Sequence, residues 1–164
     1  MFNPFLGGEK QLSSNWRSLR ENLSTDLSDM EQLRMVCDFW AMAPMVNQYL
    51  DYTSPSTWPT PWELITEKRF DSSSIALGME YTLLLGQDGR WTGDRLELDL
   101  ICTADRSMQT LVLIVDKTHL LNYAYRLVIP LADEVGGFEI QERYRYVGKT
   151  HETINGNLSP FTEY

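Results

Sequence analysis

Residues 58–85 read WPTPWELITEKRFDSSSIALGMEYTLLL, and this stretch decides the fold. Thr60, Pro61 and Glu63 predict the start of a short helix, because threonine caps a helix, proline suits its first turn and glutamate completes a capping box. Asp71 is also a good cap, and it predicts the start of a second helix. The stretch therefore predicts two successive helices, each with its own cap.

The helix that begins after Asp71 is the buried helix at the centre of the predicted fold. Ala76 and Gly78 are small, which predicts close approach by a neighbouring element. The apolar stripe of this helix consists of Ile75, Met79 and Leu83. Upstream, Ser28 and Glu31 form another capping box and predict the start of a further helix.

Downstream of Gly89 the hydrophobic period changes from that of a helix to that of a strand. Alternating residues begin at Leu96, a continuous apolar run covers 111–115, and two more alternating runs end near Pro130 and Tyr146. Helices first and strands second predict an α+β domain, with the N-terminal helices packed on one face of a four-stranded antiparallel meander sheet. We expect an arm over residues 1–13, a single domain over 14–147 and a tail over 148–164.

The composition limits the classes of function. The chain has 164 residues, 43% of them hydrophobic, which suits one globular domain. Its 23 acidic residues exceed its 14 basic ones, so direct nucleic-acid binding is not expected, because phosphate-binding surfaces need clustered lysine and arginine. No apolar run reaches membrane-spanning length, and the N-terminus lacks a signal-peptide pattern. Two of the acids, Glu97 and Asp99, share one face of a predicted strand, which indicates a solvated face rather than a catalytic pair.

The sulfur and imidazole groups of the chain predict no metal site. Cys37 and Cys102 lie in apolar surroundings, which predicts buried free thiols rather than a disulfide or a nucleophile. Since His119 and His151 are the only two histidines, obvious ligands for zinc are lacking. We expect neither a metal nor a cofactor.

The order of the elements resembles that of the transglutaminase-like and papain-like cysteine enzymes. The resemblance covers residues 58–130, where a helix with a special residue at its start precedes a meander with a histidine at a strand edge. In that group the helix dipole acidifies a cysteine at the helix N-terminus, a strand histidine takes its proton, and an aspartate or asparagine on the next strand orients the imidazole. The resemblance implies a transglutaminase-like outline for the fold.

Asp71 stands where this resemblance places the nucleophile. A carboxylate there can cap a helix, but it cannot act as a thiolate does. The same resemblance makes His119 the candidate base and makes Asp116 or Asn122 the residue that orients it. These four residues are predicted remnants of a catalytic site, and the chain is predicted not to be an enzyme.

A second resemblance is to proteins of bacteriophages. The segments WPTPWEL at 58–64 and SIALGMEYTL at 74–83 resemble small proteins encoded by large phages with contractile tails. In those proteins, cysteine followed by aspartate often stands at the position of Asp71 or beside it. The resemblance implies a virion or virion-assembly protein.

The predicted function is that of a non-enzymatic structural or assembly subunit in the tail, baseplate or neck of a phage virion. Such a subunit contacts other virion proteins, as a homo-oligomer or ring within the particle, after assembly in the host cytoplasm. The alternatives are a cysteine hydrolase or transglutaminase-like enzyme, and a soluble phage adaptor or inhibitor of a host protein. The aromatic residues expected at interfaces are Phe2, Phe5, Trp58, Trp62, Phe161 and Tyr164.

Overall fold

A computed structural model describes residues 2–134 and 136–154 of the chain. Over these residues the predicted α+β class is confirmed. The helices are α1 (Glu9–Glu21), α2 (Asp29–Trp40), α3 (Pro61–Glu67) and α4 (Ser72–Leu84). The strands are β1 (Leu96–Thr103), β2 (Gln109–Val115), β3 (His119–Leu121), β4 (Ile129–Pro130), β5 (Phe138–Val147) and β6 (Thr150–Thr153). Short 3-10 helices cover Pro55–Thr57, Gly93–Arg95 and Leu131–Glu134.

The six strands form one antiparallel sheet in the order β4-β3-β2-β1-β5-β6. The predicted count of four strands is wrong. The first four strands follow a meander, but β5 then crosses the sheet and pairs with the far edge of β1. The sixth strand, β6, lies within the stretch that the sequence analysis assigned to a tail.

The third strand is much shorter than its alternating pattern predicts. It ends at Leu121, and Asn122 and Arg126 then adopt left-handed backbone conformations with φ of 65° and 61°. A left-handed residue turns the chain out of the ladder, so the strand pattern cannot continue. Residues 122–128 form a loop instead, and the Asn122 side chain of this loop contacts the start of α4.

All three predicted helix caps are present. The Ser28 hydroxyl accepts a hydrogen bond from the Glu31 backbone N–H, and Thr60 does the same for Glu63. The Asp71 carboxylate accepts from the Ser74 backbone N–H at 2.8 Å. Each contact satisfies a donor that the first turn of a helix leaves without an intrahelical partner.

Helix α4 is the central buried helix, as its sequence predicts. It packs against β2 on one side and against α1, α2 and α3 on the others. Gly78 lies under the Trp40 ring, where an added Cβ would come within 2.5 Å of the indole. The Thr82 hydroxyl oxygen accepts the indole N–H groups of Trp16 and Trp40 at 2.9 and 3.0 Å. The close approach of α2 to α4 therefore depends on the missing side chain of Gly78.

The strand face that carries Glu97 and Asp99 is buried, so the prediction of a solvated face is wrong. Glu97 is 5% exposed and Asp99 is fully buried. Arg143 of β5 lies opposite Asp99 in the register and places its Nε 3.6 Å from the Glu97 carboxylate. Opposite charges brought together in this way can tolerate burial. A second apolar cluster, around Ile114 and Leu131, also occupies this side of the sheet.

The N-terminal segment is packed onto the domain. Helix α1 begins at Glu9, and Phe5 is buried with its ring 5.1 to 5.5 Å from those of Phe39, Trp40 and Phe70. The prediction that Phe5 serves an interface from a loose arm is therefore wrong for the described chain. Burial of this apolar ring in a cluster of others explains why the segment docks.

The remaining interface candidates differ in exposure. Trp58 is buried against Tyr144 and His151 and offers no free ring, whereas Phe2 is exposed and Trp62 is 55% exposed. Phe161 and Tyr164 lie outside the described residues. In the part of the chain that is described, none of the helices combines the length and apolar character that crossing a membrane requires.

Candidate functional site

The start of α4 is held by the carboxylate of Asp71, which is only 3% exposed. One oxygen accepts from Ser74, and the other accepts from the backbone N–H groups of Tyr49 and Leu50 at 2.7 and 2.9 Å. Asp71 therefore caps the helix and also fixes the loop that precedes α3. Both oxygens are occupied by backbone donors, so this carboxylate is not presented to a substrate.

The next residue, Ser72, is the first residue of α4 and is only partly buried. Thr110 of β2 donates its hydroxyl hydrogen to Ser72 Oγ at 2.9 Å. The Ser73 hydroxyl lies 3.1 Å from Thr110 Oγ1 and accepts the backbone N–H of Leu111. A chain of three hydroxyls thus joins the start of the central helix to the middle of the sheet.

Asn122 completes this arrangement from the end of β3. Its side-chain amide donates to the Ser72 main-chain carbonyl at 2.8 Å and to the Leu111 carbonyl at 3.1 Å. The left-handed backbone at Asn122 brings its side chain to this position. Ser72, Thr110 and Asn122 therefore meet at one place, from a helix start, a strand and the following strand.

His119 and Asp116, two of the predicted site residues, do not reach this place. Asp116 forms an ion pair with Arg95 at 2.6 Å. A hydrogen bond of 2.8 Å joins His119 Nδ1 to Thr118 Oγ1. His119 pairs with Val115 at the far end of β2, five residues or about 17 Å from Thr110. Of the four predicted remnants, Asp71 and Asn122 lie at the candidate site and the other two do not.

The second histidine is also remote from Ser72. His151 of β6 contacts the buried carboxylate of Glu80 at 2.5 Å, and Trp58, Tyr81 and Tyr146 surround its ring. Glu80 lies eight residues along α4 from Ser72, which is about 12 Å at 1.5 Å per residue. Neither imidazole of the chain can therefore take a proton from Ser72.

Ser72 lies between two cavities. The first, which we call the apolar cavity, has a volume of about 200 Å³ and is lined by Trp40, Met45, Ile75, Met79, Met108 and Tyr123, among others. The second, the polar cavity, has a volume of about 190 Å³ and is lined by Gln48, Tyr52, Asp71, Ser73, Gln109 and Thr110, among others. Ser72 and Met45 line both cavities, so the two form one groove across the start of α4.

The thiols of the chain are free and buried, as predicted. Cys37 lines the apolar cavity, but burial and, to a smaller degree, the charge of Asp38 raise its pKa to about 12. A thiol with that pKa holds almost no thiolate at neutral pH, and the thiolate is the nucleophile. Cys37 is therefore not an alternative nucleophile for this groove.

Comparison with solved structures shows a shared fold. A structure of Legionella pneumophila LapG is similar with a TM-score of 0.66 and 16% identity, covering 84% of this chain and 75% of LapG. The calcium-bound form has a TM-score of 0.68 and 15% identity, covering 93% of this chain and 85% of LapG. The EGTA-treated form also has a TM-score of 0.68, with 15% identity and coverages of 92% and 80%. No protein-family model matches the sequence, and no curated protein does.

LapG has a transglutaminase-like cysteine protease fold, which supports the transglutaminase-like part of the first resemblance. Nothing supports the second resemblance, to phage proteins. The predicted role as a structural subunit of a phage virion is wrong, because the similar structures belong to a bacterial protease. The prediction that the chain is not an enzyme is contradicted on the same ground, and a transglutaminase-like enzyme, the stated alternative, is better supported.

With the fold established, the site can be compared with the three roles that the resemblance implies. Ser72, not Asp71, stands at the helix start and faces the strand. Thr110 lies on that strand and Asn122 lies in the loop that follows β3, whereas the resemblance implies a histidine and an orienting residue on successive strands. The sequence offers Ser72, Ser73 and Ser74 as first-turn hydroxyls, but no G-x-S-x-G elbow surrounds them and no second histidine is near in sequence, so they predict no serine nucleophile. The residues next to Thr110 have no pattern that predicts its place at this site.

The calcium-bound form of LapG raises the question of whether this chain can hold a metal ion. Among the described residues, no three side chains of histidine, cysteine, aspartate or glutamate are grouped so that they could bind one. Asp71, the acid that lines the groove, uses both oxygens for backbone N–H groups. The residues present do not fit a calcium site, since calcium needs six or more oxygen ligands.

Proposed function

We propose that this chain binds an extended segment of polypeptide in the groove that crosses Ser72. The observation that carries the proposal is the position of Ser72, which is accessible at the start of α4 and lies between two cavities. A protease receives its substrate across the nucleophile, with side chains on either side of it. The LapG-like fold and the two-sided groove both favour a polypeptide as the ligand.

Acyl transfer by Ser72 is the second candidate function, and the position of its hydroxyl at the first residue of α4 favours it. In this step Ser72 Oγ would form a bond to a peptide carbonyl carbon, the carbon–nitrogen bond would break, and the hydroxyl proton would pass to the leaving amine. Water would then hydrolyse the acyl-serine ester, release the carboxylic acid and restore the hydroxyl. The positive end of the α4 dipole suits the developing negative charge. Thr110 donates its hydrogen to Ser72 Oγ and does not take the serine proton, and a hydroxyl is not a general base at neutral pH, so we expect slow turnover.

A binding experiment tests the main proposal. A random dodecapeptide library is passed over the immobilised chain, and retained peptides are identified by mass spectrometry. Ser72→Trp fills the middle of the groove, whereas Ser56→Trp places the same ring at an exposed position away from Ser72. We expect the wild type and Ser56→Trp to retain the same peptides and Ser72→Trp to lose them. Equal retention by all three proteins would refute the proposal.

The same peptides test the second candidate. Each retained peptide is incubated with the wild type and with Ser72→Ala, and the products are analysed by mass spectrometry. Cleavage by the wild type that Ser72→Ala lacks would support acyl transfer by Ser72. If the peptides stay intact, or if Ser72→Ala cleaves them equally fast, acyl transfer by Ser72 is excluded while the binding proposal stands.

A further inference from the structure

The apolar cavity beside Ser72 is large enough for one side chain and too small for a folded element. Its volume is about 200 Å³, and its walls are mostly apolar: one indole, three methionines, two tyrosines and small aliphatic side chains, with Ser72, Asn122 and Arg126 as the polar members. The methionines are Met45, Met79 and Met108. Methionine side chains adapt to ligands of different shape, which suits a pocket that receives a bulky apolar group.

The charges around this cavity indicate an uncharged occupant. Arg126 is the charged side chain among its lining residues, and its guanidinium lies 3.3 Å from the Asp38 carboxylate at the rim. A charged occupant would therefore enter an apolar pocket without a free counter-charge, which costs free energy. An apolar occupant loses nothing by entering and gains the burial of its surface.

The mouth of the cavity exposes apolar surface to solvent. Met45 is 66% exposed, Tyr125 is 73% exposed, and both line the cavity. The neighbouring Leu127 is 54% exposed. Exposed apolar groups grouped around a pocket typically mark a ligand site.

From these observations we infer that the groove selects polypeptide segments that place a bulky apolar side chain, of the size of leucine, methionine or phenylalanine, in the apolar cavity next to Ser72. The inference rests on the proposed function and adds the class of ligand to it. The polar cavity on the other side of Ser72 is lined by Gln48, Gln109 and Tyr52, and the Tyr52 hydroxyl donates to Gln109 Oε1. These groups suit the backbone of the segment and do not require a particular side chain there.

Heptapeptides test this selection. A series is built from glycine and serine and differs only in its central residue, which is leucine, methionine, phenylalanine, alanine, aspartate or lysine. Binding is measured by changes in the NMR spectrum of the labelled chain. We expect the three bulky apolar residues to bind at least about tenfold more tightly than alanine, a difference of about 1.4 kcal/mol, because they bury more apolar surface in the cavity. Equal affinities across the series would overturn the inference.

A variant whose apolar cavity is filled by a larger side chain gives a second test of the inference. Ala124 lines the apolar cavity from the loop, so Ala124→Trp fills it with little change to the core. Ala132→Trp adds the same ring at an exposed position and serves as the control. We expect Ala124→Trp to abolish the preference for bulky residues and Ala132→Trp to keep it. If Ala124→Trp does not fold, Met45→Asp replaces it, because a carboxylate at the mouth should reduce the preference in the same direction.

The outcomes separate the inference from the proposed function. If library peptides are retained at Ser72 but the heptapeptides show no preference, the inference fails and the proposed function stands. If the bulky heptapeptides bind and Ala124→Trp blocks them but Ser72→Trp does not, the cavity binds apolar groups and the proposed groove across Ser72 fails. A preference that survives Ala124→Trp would place binding elsewhere and overturn the inference.

Discussion

Thr110 on β2 donates a 2.9 Å hydrogen bond to Ser72 at the start of α4, although 38 residues separate them in the chain. The contact joins the sheet to the central helix at the point where both line the groove. It also identifies the two positions whose side chains decide whether this groove carries reactive chemistry.

Ser72→Cys combined with Thr110→His should create a reactive thiol. The helix N-terminus stabilises a thiolate, and an imidazole at position 110 would take the thiol proton. The polar cavity of about 190 Å³ beside Thr110 has room for the larger ring. We expect alkylation by iodoacetamide at pH 6.5 to be at least about tenfold faster than in Ser72→Cys alone, a difference of about 1.4 kcal/mol in activation free energy.

The rate of alkylation is measured by mass spectrometry. The control is Ser56→Cys, which places a thiol at an exposed position without a helix start or a histidine. Equal alkylation rates for the double variant and Ser56→Cys would show that the geometry at position 72 does not activate a thiol.

Asp71→Ala should destabilise the chain more than the loss of an ordinary cap. The carboxylate serves three backbone N–H groups, and two of them belong to a distant loop. We expect a loss of about 2–4 kcal/mol in the free energy of unfolding, measured with urea. Ser28→Ala removes an exposed cap with one backbone partner and should cost about 1 kcal/mol. Equal losses would contradict the role of Asp71 in holding the loop.

Gly78→Ala should reverse the usual effect of this substitution in a helix. Alanine normally stabilises a helix interior by about 0.5–1 kcal/mol relative to glycine. Here the added methyl group would lie 2.5 Å from the Trp40 ring, so we expect a net loss of about 2 kcal/mol in the free energy of unfolding. Gly8→Ala is the control, because no atom lies within 4 Å of its added Cβ. A stabilised Gly78→Ala variant would show that α2 can move away from α4.

Acid should remove the contribution of Asp88 to stability. Burial opposes ionisation of this carboxyl, but hydrogen bonds from the backbone and side chain of Arg90 and from Gln32 lower its pKa on balance. A lowered folded pKa means that the stabilisation is complete above the ordinary value of 3.8 and is lost as the pH falls through the folded pKa. We expect Asp88→Asn to reduce the free energy of unfolding by about 1–3 kcal/mol at pH 7 and by less at pH 2.5.

The measurement is urea unfolding followed by tryptophan fluorescence at both pH values. Asp26→Asn is the control, since Asp26 is an exposed acid outside this network. If the difference between Asp88→Asn and the wild type is the same at pH 7 and pH 2.5, the ionised form of Asp88 is not the source of the stabilisation.

Features that depend on neighbouring residues were predictable from the sequence. The caps at Ser28, Thr60 and Asp71 each use a backbone partner three residues away, and all three are present. The close approach at Gly78 followed from the absence of a side chain. The α+β class followed from the order of helix and strand periods.

Features that depend on distant residues were not predictable in this way. Glu97 and Asp99 alternate with leucines like a solvated strand face, and only the pairing of β1 with β5 brings Arg143 to them. Neither strand has a sequence pattern that predicts the pairing of β5 with β1. At the site, the sequence marked Asp71 and Asn122, argued against Ser72 and missed Thr110, because the contact of Ser72 with Thr110 depends on how the sheet meets α4.

At the start of α4, two neighbouring side chains have different roles. Asp71 holds the backbone through hydrogen bonds, and Ser72 lines the groove. A thiol, a hydroxyl or a methyl group at position 72 is therefore compatible with the same folded frame. Reactivity in this architecture can therefore change through exchanges at positions 72 and 110, while Asp71 continues to hold the backbone. Measurements of the free energy of unfolding alone would not distinguish a reactive variant from an unreactive one.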